Sequence, residues 1–241
     1  MKLKVRIVTP LFCFLRIRIL TDWSILDILF GTNEFTLPIS GRSHGPNSLS
    51  SHLIFGPLGL PHRIHLLRDM RHIRLVLDIN ETGYWPGTRH RARLEHFVRV
   101  IKEYAEDDGK KSLLQGLSIG IAHNGKERAY DQQLEDAWRE TEPFRCVEKY
   151  MFALESLCLL MHIPKVSVTG VPEWFGKCLE KKIKGMGGDV TKTVWPATLG
   201  NGKQQPGTAR KWYQPVYEWR EFAAKNGVEM PEGADGFWEV E

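Results

Sequence analysis

Cysteine is scarce in this chain. Its 241 residues hold four, Cys13, Cys146, Cys158 and Cys178, and no two form a C-x-x-C pair. That excludes a disulfide framework or zinc ribbon and predicts an intracellular protein, cytoplasmic or nuclear, with reduced thiols. Cys146, Cys158 and Cys178 fall within helical apolar patterns, where they read as small buried hydrophobes. Long apolar runs are missing too: none approaches the ~20 residues of a membrane helix, so no membrane partner is expected. Lys2, Lys4 and Arg6 precede a short apolar run at 11–15, but Arg16 and Arg18 interrupt it and no small-x-small cleavage site follows, so it is not read as a secretory signal. Charge of one sign is also lacking. A net +4 is too small to imply a nucleic-acid partner. A basic band over 61–102 and an acidic one over 103–155 read as solvated faces.

Catalytic and ligand-binding signatures are weak as well. Gly116-Leu117-Ser118-Ile119-Gly120 spells G-x-S-x-G, but it falls inside an expected strand instead of on a strand-to-helix turn, so no nucleophile is assigned there. Gly200-Asn201-Gly202-Lys203 imitates the end of a phosphate loop, but Ala197 stands where the first glycine belongs and no Ser or Thr follows Lys203, so it reads as a turn. His62-x-x-His65, with Asp69 and His72 nearby, falls short of four zinc ligands at a usual spacing and reads as surface histidines. The carboxylate pairs Asp107-Asp108 and Glu140/Glu142 lie at helix ends or in loops. Arg89, Arg91 and Arg93 beside Tyr84 and Trp85 could meet phosphates and stack on bases, yet a solvated basic face is the simpler reading, and nucleic acid is not assigned as a partner. Lys181-Lys182-x-Lys184 is a weak nuclear-targeting cluster, and the helix dipole favours those charges at a helix C-terminus in any case. No catalytic, cofactor-binding or metal residues are assigned, and no cofactor is expected.

What is present is a fold pattern. Apolar content of 42% and charged content of 26% are globular values. A short helix over 23–30 is expected to stop at Gly31, followed by a strand over 33–37 ended by Pro38. Residues 40–57, rich in Gly, Ser, Pro and Asn, read as a flexible loop. A helix over 61–69, a strand over 73–79 and a turn over 80–87 follow. In the next helix Leu94, Phe97, Val98, Ile101, Tyr104 and Ala105 form one stripe. A second strand covers 114–122, where Gly116 and Gly120 point to close backbone packing or a bulge. Phe144, Val147, Met151, Leu154, Cys158 and Met161 make the apolar face of a long helix. A third strand and helix occupy 163–186, with Trp174, Phe175, Cys178, Leu179 and Ile183 as core candidates. A last helix over 208–225 is broken or kinked at Pro215 and capped by Gly227, and Phe237 and Trp238 can anchor the tail.

Three of these strands repeat. Met70-x-x-Ile73-x-Leu75, Leu114-x-x-Leu117-x-Ile119 and Ile163-x-x-Val166-x-Val168 share one apolar pattern, each followed by a helix, at spacings of 44 and 49 residues. The pattern matches the front half of a leucine-rich repeat, though the period exceeds the usual one. The fold class expected is α/β: helices packed on a small, mostly parallel sheet of degenerate, repeat-like strand–helix units. The domain reading is an N-terminal piece at 1–38, a loop at 39–58, the α/β core at 59–190, and a loop with an aromatic helix and acidic tail at 191–241.

The strings LFGTNEFTLP (29–38), GLPHRIHLLRDMRHIRLVL (59–77) and IPKVSVTGVPEWFGKCLEK (163–181) resemble fungal F-box-like proteins of unknown biochemical role. There a (Y/F)xxNxFxF strand precedes an LP…IR.L.L turn and strand, and a later strand ends in Thr/Gly-Val-Pro before a Lys-rich helix. The resemblance covers about residues 28–186 and lacks the F-box-like opening segment. Residues 1–21 do not match that segment and are expected to be an altered or truncated start. The resemblance implies a non-enzymatic protein-interaction module with an unknown protein partner. The alternatives are a small enzyme with an unrecognised site and a weak basic nucleic-acid binder.

Overall fold

The three repeat strands pair side by side in the register their pattern implies. Ile73 stands opposite Leu117 and Leu117 opposite Val166, with Leu75, Ile119 and Val168 aligned in the next inward row. The structure is a computed structural model and describes residues 4–6, 29–40, 66–78, 85–106, 113–122, 151–193, 215–234 and 238. Five strands, β1 (Lys4–Arg6), β2 (Glu34–Ser40), β3 (His72–Asp78), β4 (Gly116–Ala122) and β5 (Lys165–Thr169), form one sheet in the order β1-β2-β3-β4-β5. β1 runs antiparallel to β2, and all other neighbours are parallel. The molecule is an α/β fold, as expected.

Parallel strands in unbroken order carry every crossover over the same face when each has the usual right hand. Burial agrees. Phe35, Leu37, Ile39, Ile73, Leu75, Leu77, Leu117, Ile119, Ile121 and Val166 are buried and share one core with the helices. Those helices are α1 (Leu66–Asp69), α2 (Trp85–Glu106), α3 (Glu173–Ile183) and α4 (Trp219–Lys225), with a 3-10 turn at Glu155–Leu159. Each fully buried Leu, Ile or Phe contributes roughly 1.5–3 kcal/mol, so this single-sided core dominates stability. Trp174, Phe175, Cys178, Leu179 and Ile183 of α3 are all buried, as their spacing predicts.

Several boundaries differ from expectation, each for a local reason. β2 does not stop at Pro38 but runs on to Ser40. Pro38 stays within the parallel register, opposite Val76 of β3, so it bends neither the pairing nor the strand to a stop. Gly31 does not end the preceding helix, which continues through Thr32. The Asn33 side chain closes that helix by donating to the Leu29 carbonyl at 2.9 Å. α2 begins at Trp85, inside the expected turn, with Pro86 in its first turn, where its missing N–H costs nothing.

The long apolar helix tightens to 3-10 geometry at Glu155, and Leu160 is already extended. Met161 therefore leaves the apolar face and is 49% exposed. The last helix starts only at Trp219. Before it, Tyr217 bridges Lys192 in antiparallel fashion, and Thr193 N–H donates to the Val216 carbonyl at 2.9 Å. The expected loop at 41–57, the helix start at 143–150 and residues 208–214 lie outside the described residues.

Candidate functional site

The alternate positions of the sheet form its second face. In register they make three rows: Glu34, His72, Gly116, Lys165; Thr36, Arg74, Ser118, Ser167; and Pro38, Val76, Gly120, Thr169. Lys165, Ser167 and Thr169 are exposed, and the others are half-buried except the buried Gly116. Polar and small side chains predominate. Ser167 Oγ donates to Ser118 Oγ at 3.2 Å, and Thr169 Oγ1 donates to the Ile119 carbonyl at 3.3 Å. The expected close packing at Gly116 is real and has a specific cause. A Cβ there would lie 2.5 Å from Nδ1 of His72, which occupies the space a side chain would need. No bulge accompanies it, because the register runs unbroken through both glycines.

A second polar centre lies in the helix layer. Glu155 is 0% exposed, the first residue of the 3-10 turn. Its carboxyl accepts from Val216 N–H at 3.1 and 3.0 Å, from Trp219 Nε1–H at 2.9 Å and from Arg91 Nη1–H at 3.4 Å. Arg91 also donates to the Phe152 carbonyl at 3.0 Å, pairs with Glu95 at 2.8 Å and stacks over the Phe152 ring at 4.5 Å. Burial pushes Glu155 up to about 7, against the opposing pull of those donors and the Arg91 charge. Cys158, hydrogen-bonded with the Tyr217 side chain, is raised by burial to about 11, and Cys178 to about 12. Burial thus favours the protonated form of both thiols at neutral pH.

Sequence reasoning passed over Glu155. Its signal was a lone carboxylate inside the apolar run 151–161. The partners that explain it stand 61 and 64 residues away along the chain.

The residues weighed from sequence scatter. His62, His65, Tyr84, Asp107, Asp108, Glu140, Glu142, Gly200 and Lys203 lie outside the described residues. Asp69 and His72 are described, and no group among the described residues could hold a metal ion. The expected solvated face of α2 is corrected: Arg93 is buried together with His90 and His96, and Arg91 turns inward to Glu155. Arg99 donates to His96 Nδ1 at 2.6 Å, which makes that nitrogen the acceptor, since a guanidinium has only donors.

The basic cluster on α3 is likewise engaged. Lys181 donates to the Asn226 carbonyl at 3.0 Å. Buried Lys182 donates to the Gly188 carbonyl at 3.2 Å and to Asp189 at 2.9 Å. Lys184 pairs with Glu180 at 3.6 Å. Lys181 and Lys182 tie α3 to its surroundings, and Lys184 pairs within the helix. No helix among the described residues is long and apolar enough to cross a membrane. By class this is an α/β chain whose sequential parallel sheet has one apolar and one polar face. Comparison with protein-family models, curated proteins and solved structures found no match.

Proposed function

We propose that the chain is a non-enzymatic protein-interaction module, F-box-like without an evident F-box, working inside the cell and presenting the polar face of its sheet to a protein partner. The observation that carries this reading is the register itself. Four consecutive parallel strands align small and polar side chains in rows across one face, while every inward alternate joins the core. Repeat-built sheets use such extended faces to bind partners. The strongly perturbed carboxylate, Glu155, favours an enzyme less, because its oxygens already accept from internal donors.

The test is affinity capture with the full chain, its Ser167→Arg variant and, as a control on α4, Lys225→Glu. A partner retained by wild type and Lys225→Glu but lost with Ser167→Arg, at an unchanged melting temperature, is expected. Failure of wild type to retain any partner, or equal retention by all three, overturns the reading.

A further inference from the structure

Among the described residues the sheet ends at β1 on one side and at β5 on the other. β1 is three residues long, a length that gives little template for further pairing. β5 is five residues long, branched at Val166, Val168 and Thr169, with Lys165, Ser167 and Thr169 exposed. In a parallel ladder, alternate residues of a strand bond to alternate neighbours. Lys165 N–H donates to the Gln115 carbonyl at 3.0 Å, so Lys165, Ser167 and Thr169 direct their backbone groups to β4. Val166 and Val168 direct theirs to the outer edge.

A side chain meets that edge. Glu180 of α3 accepts from Val168 N–H through Oε1 at 2.8 Å. Its other oxygen, Oε2, stands 3.6 Å from Lys184 Nζ. The carboxylate holds the donor that a carbonyl of an added strand would need. Hydrogen bonds to an ionised acceptor are stronger than those to a neutral carbonyl, so an incoming strand exchanges a better bond for a weaker one.

The strand that best fits this edge is a second copy of β5. Two such strands match antiparallel about Ser167. Val166 of one copy then stands opposite Val168 of the other, and each such pair exchanges both N–H···O=C bonds. Lys165 falls opposite Thr169, so no like charges face each other. The contact is the same from both sides and closes as a dimer.

We propose that Glu180 guards the edge of the sheet: its bond to Val168 N–H keeps β5 from pairing with β5 of a second copy. The inference concerns the edge and does not rest on a partner for the polar face.

Sedimentation of the full chain over a concentration series tests it. Wild type is expected to stay monomeric, and Glu180→Ala to approach twice the monomer mass as concentration rises. Glu180→Gln keeps a side-chain carbonyl as acceptor and should stay monomeric. Adding Thr169→Lys to Glu180→Ala sets Lys165 against a lysine and should weaken association several-fold. A Glu180→Ala chain that remains monomeric overturns the guard and leaves closure to the α3 backbone, which runs near enough that a Cβ on Gly176 would lie 3.5 Å from the Val168 carbonyl oxygen. Equal association by wild type, or by the double variant, also overturns it. Should Glu180→Ala fail to fold, hydrogen exchange of the wild type decides: a Val168 amide as protected as that of Ser167 supports the guard, and an unprotected one refutes it.

Discussion

At the scale of single residues, the informative groups are those whose polar atoms the core has enclosed. Trp219 is fully buried, edge-on to Phe175 at 5.3 Å and to Phe222 at 5.9 Å, and its indole N–H points to Glu155. Trp219→Phe keeps an aromatic ring there but removes the donor. The expected loss is about 1–3 kcal/mol, the usual cost of taking one partner from a buried polar group. Because the donor favours the ionised carboxyl, its removal should raise the Glu155 titration further and cost more above pH 7 than near pH 5. Urea unfolding at both pH values checks this, and equal losses would mean that the indole serves only packing. His72 and Gly116 make a second pair. Gly116→Ala is expected to cost about 1–3 kcal/mol by overpacking against the imidazole. The same change in a His72→Ala background should cost much less, so a double-mutant cycle with no coupling would refute the contact.

At the scale of elements, helix ends show which turns are under constraint. α3 ends in a Schellman arrangement: Met186 N–H donates to the Lys181 carbonyl at 2.8 Å and Gly185 N–H to that of Lys182 at 3.0 Å, with Gly185 at φ 78°. α4 repeats the arrangement at Gly227, φ 63°, with Val228 N–H donating to the Ala223 carbonyl at 2.9 Å. Alanine in a left-handed position costs roughly 1–2 kcal/mol at either site. At Gly185 the new Cβ also meets His162 Nδ1 at 2.7 Å, whereas none of the described residues comes within 4 Å of one at Gly227. Gly185→Ala should therefore lower the melting temperature more than Gly227→Ala, and the reverse order would deny His162 its place against the turn.

The strand–helix units were legible because a strand buried on one face must place branched side chains at every second position, and Ile73, Leu117 and Val166 do so. β2 was harder to see as a fourth copy. Thr32 stands where Met70 stands in the next unit, and Pro38 reads locally as a stop. The inward turn of Arg91 and the burial of Glu155 were not legible, because each is explained by a partner about sixty residues distant in sequence.

At the scale of the molecule, the question is whether the C-terminal segment decorates the fold or completes it. The apolar face of the sheet needs a helix layer to cover it. Trp219, Phe222, Ala223, Val228 and Trp238 belong to the same core as β2–β5 and α3. Trp238 leans on Trp174, lies under Arg220 at 5.1 Å and donates from Nε1 to the Tyr217 carbonyl at 3.2 Å. Deleting residues 215–241 would uncover Trp174 and Phe175 and leave Glu155 with Arg91 as its remaining donor. Burial of an aromatic side chain is worth roughly 1.5–3 kcal/mol, so losing Trp219, Phe222 and Trp238 approaches the whole stability of a domain, about 5–15 kcal/mol. The full chain is expected to melt in one transition, with near-ultraviolet circular dichroism and tryptophan fluorescence coinciding. The truncated chain should lose that transition and bind a hydrophobic dye. A truncated chain that still melts cooperatively, within a few degrees of the full chain, would instead make α4 an appendage on a core that the sheet, α2 and α3 complete by themselves.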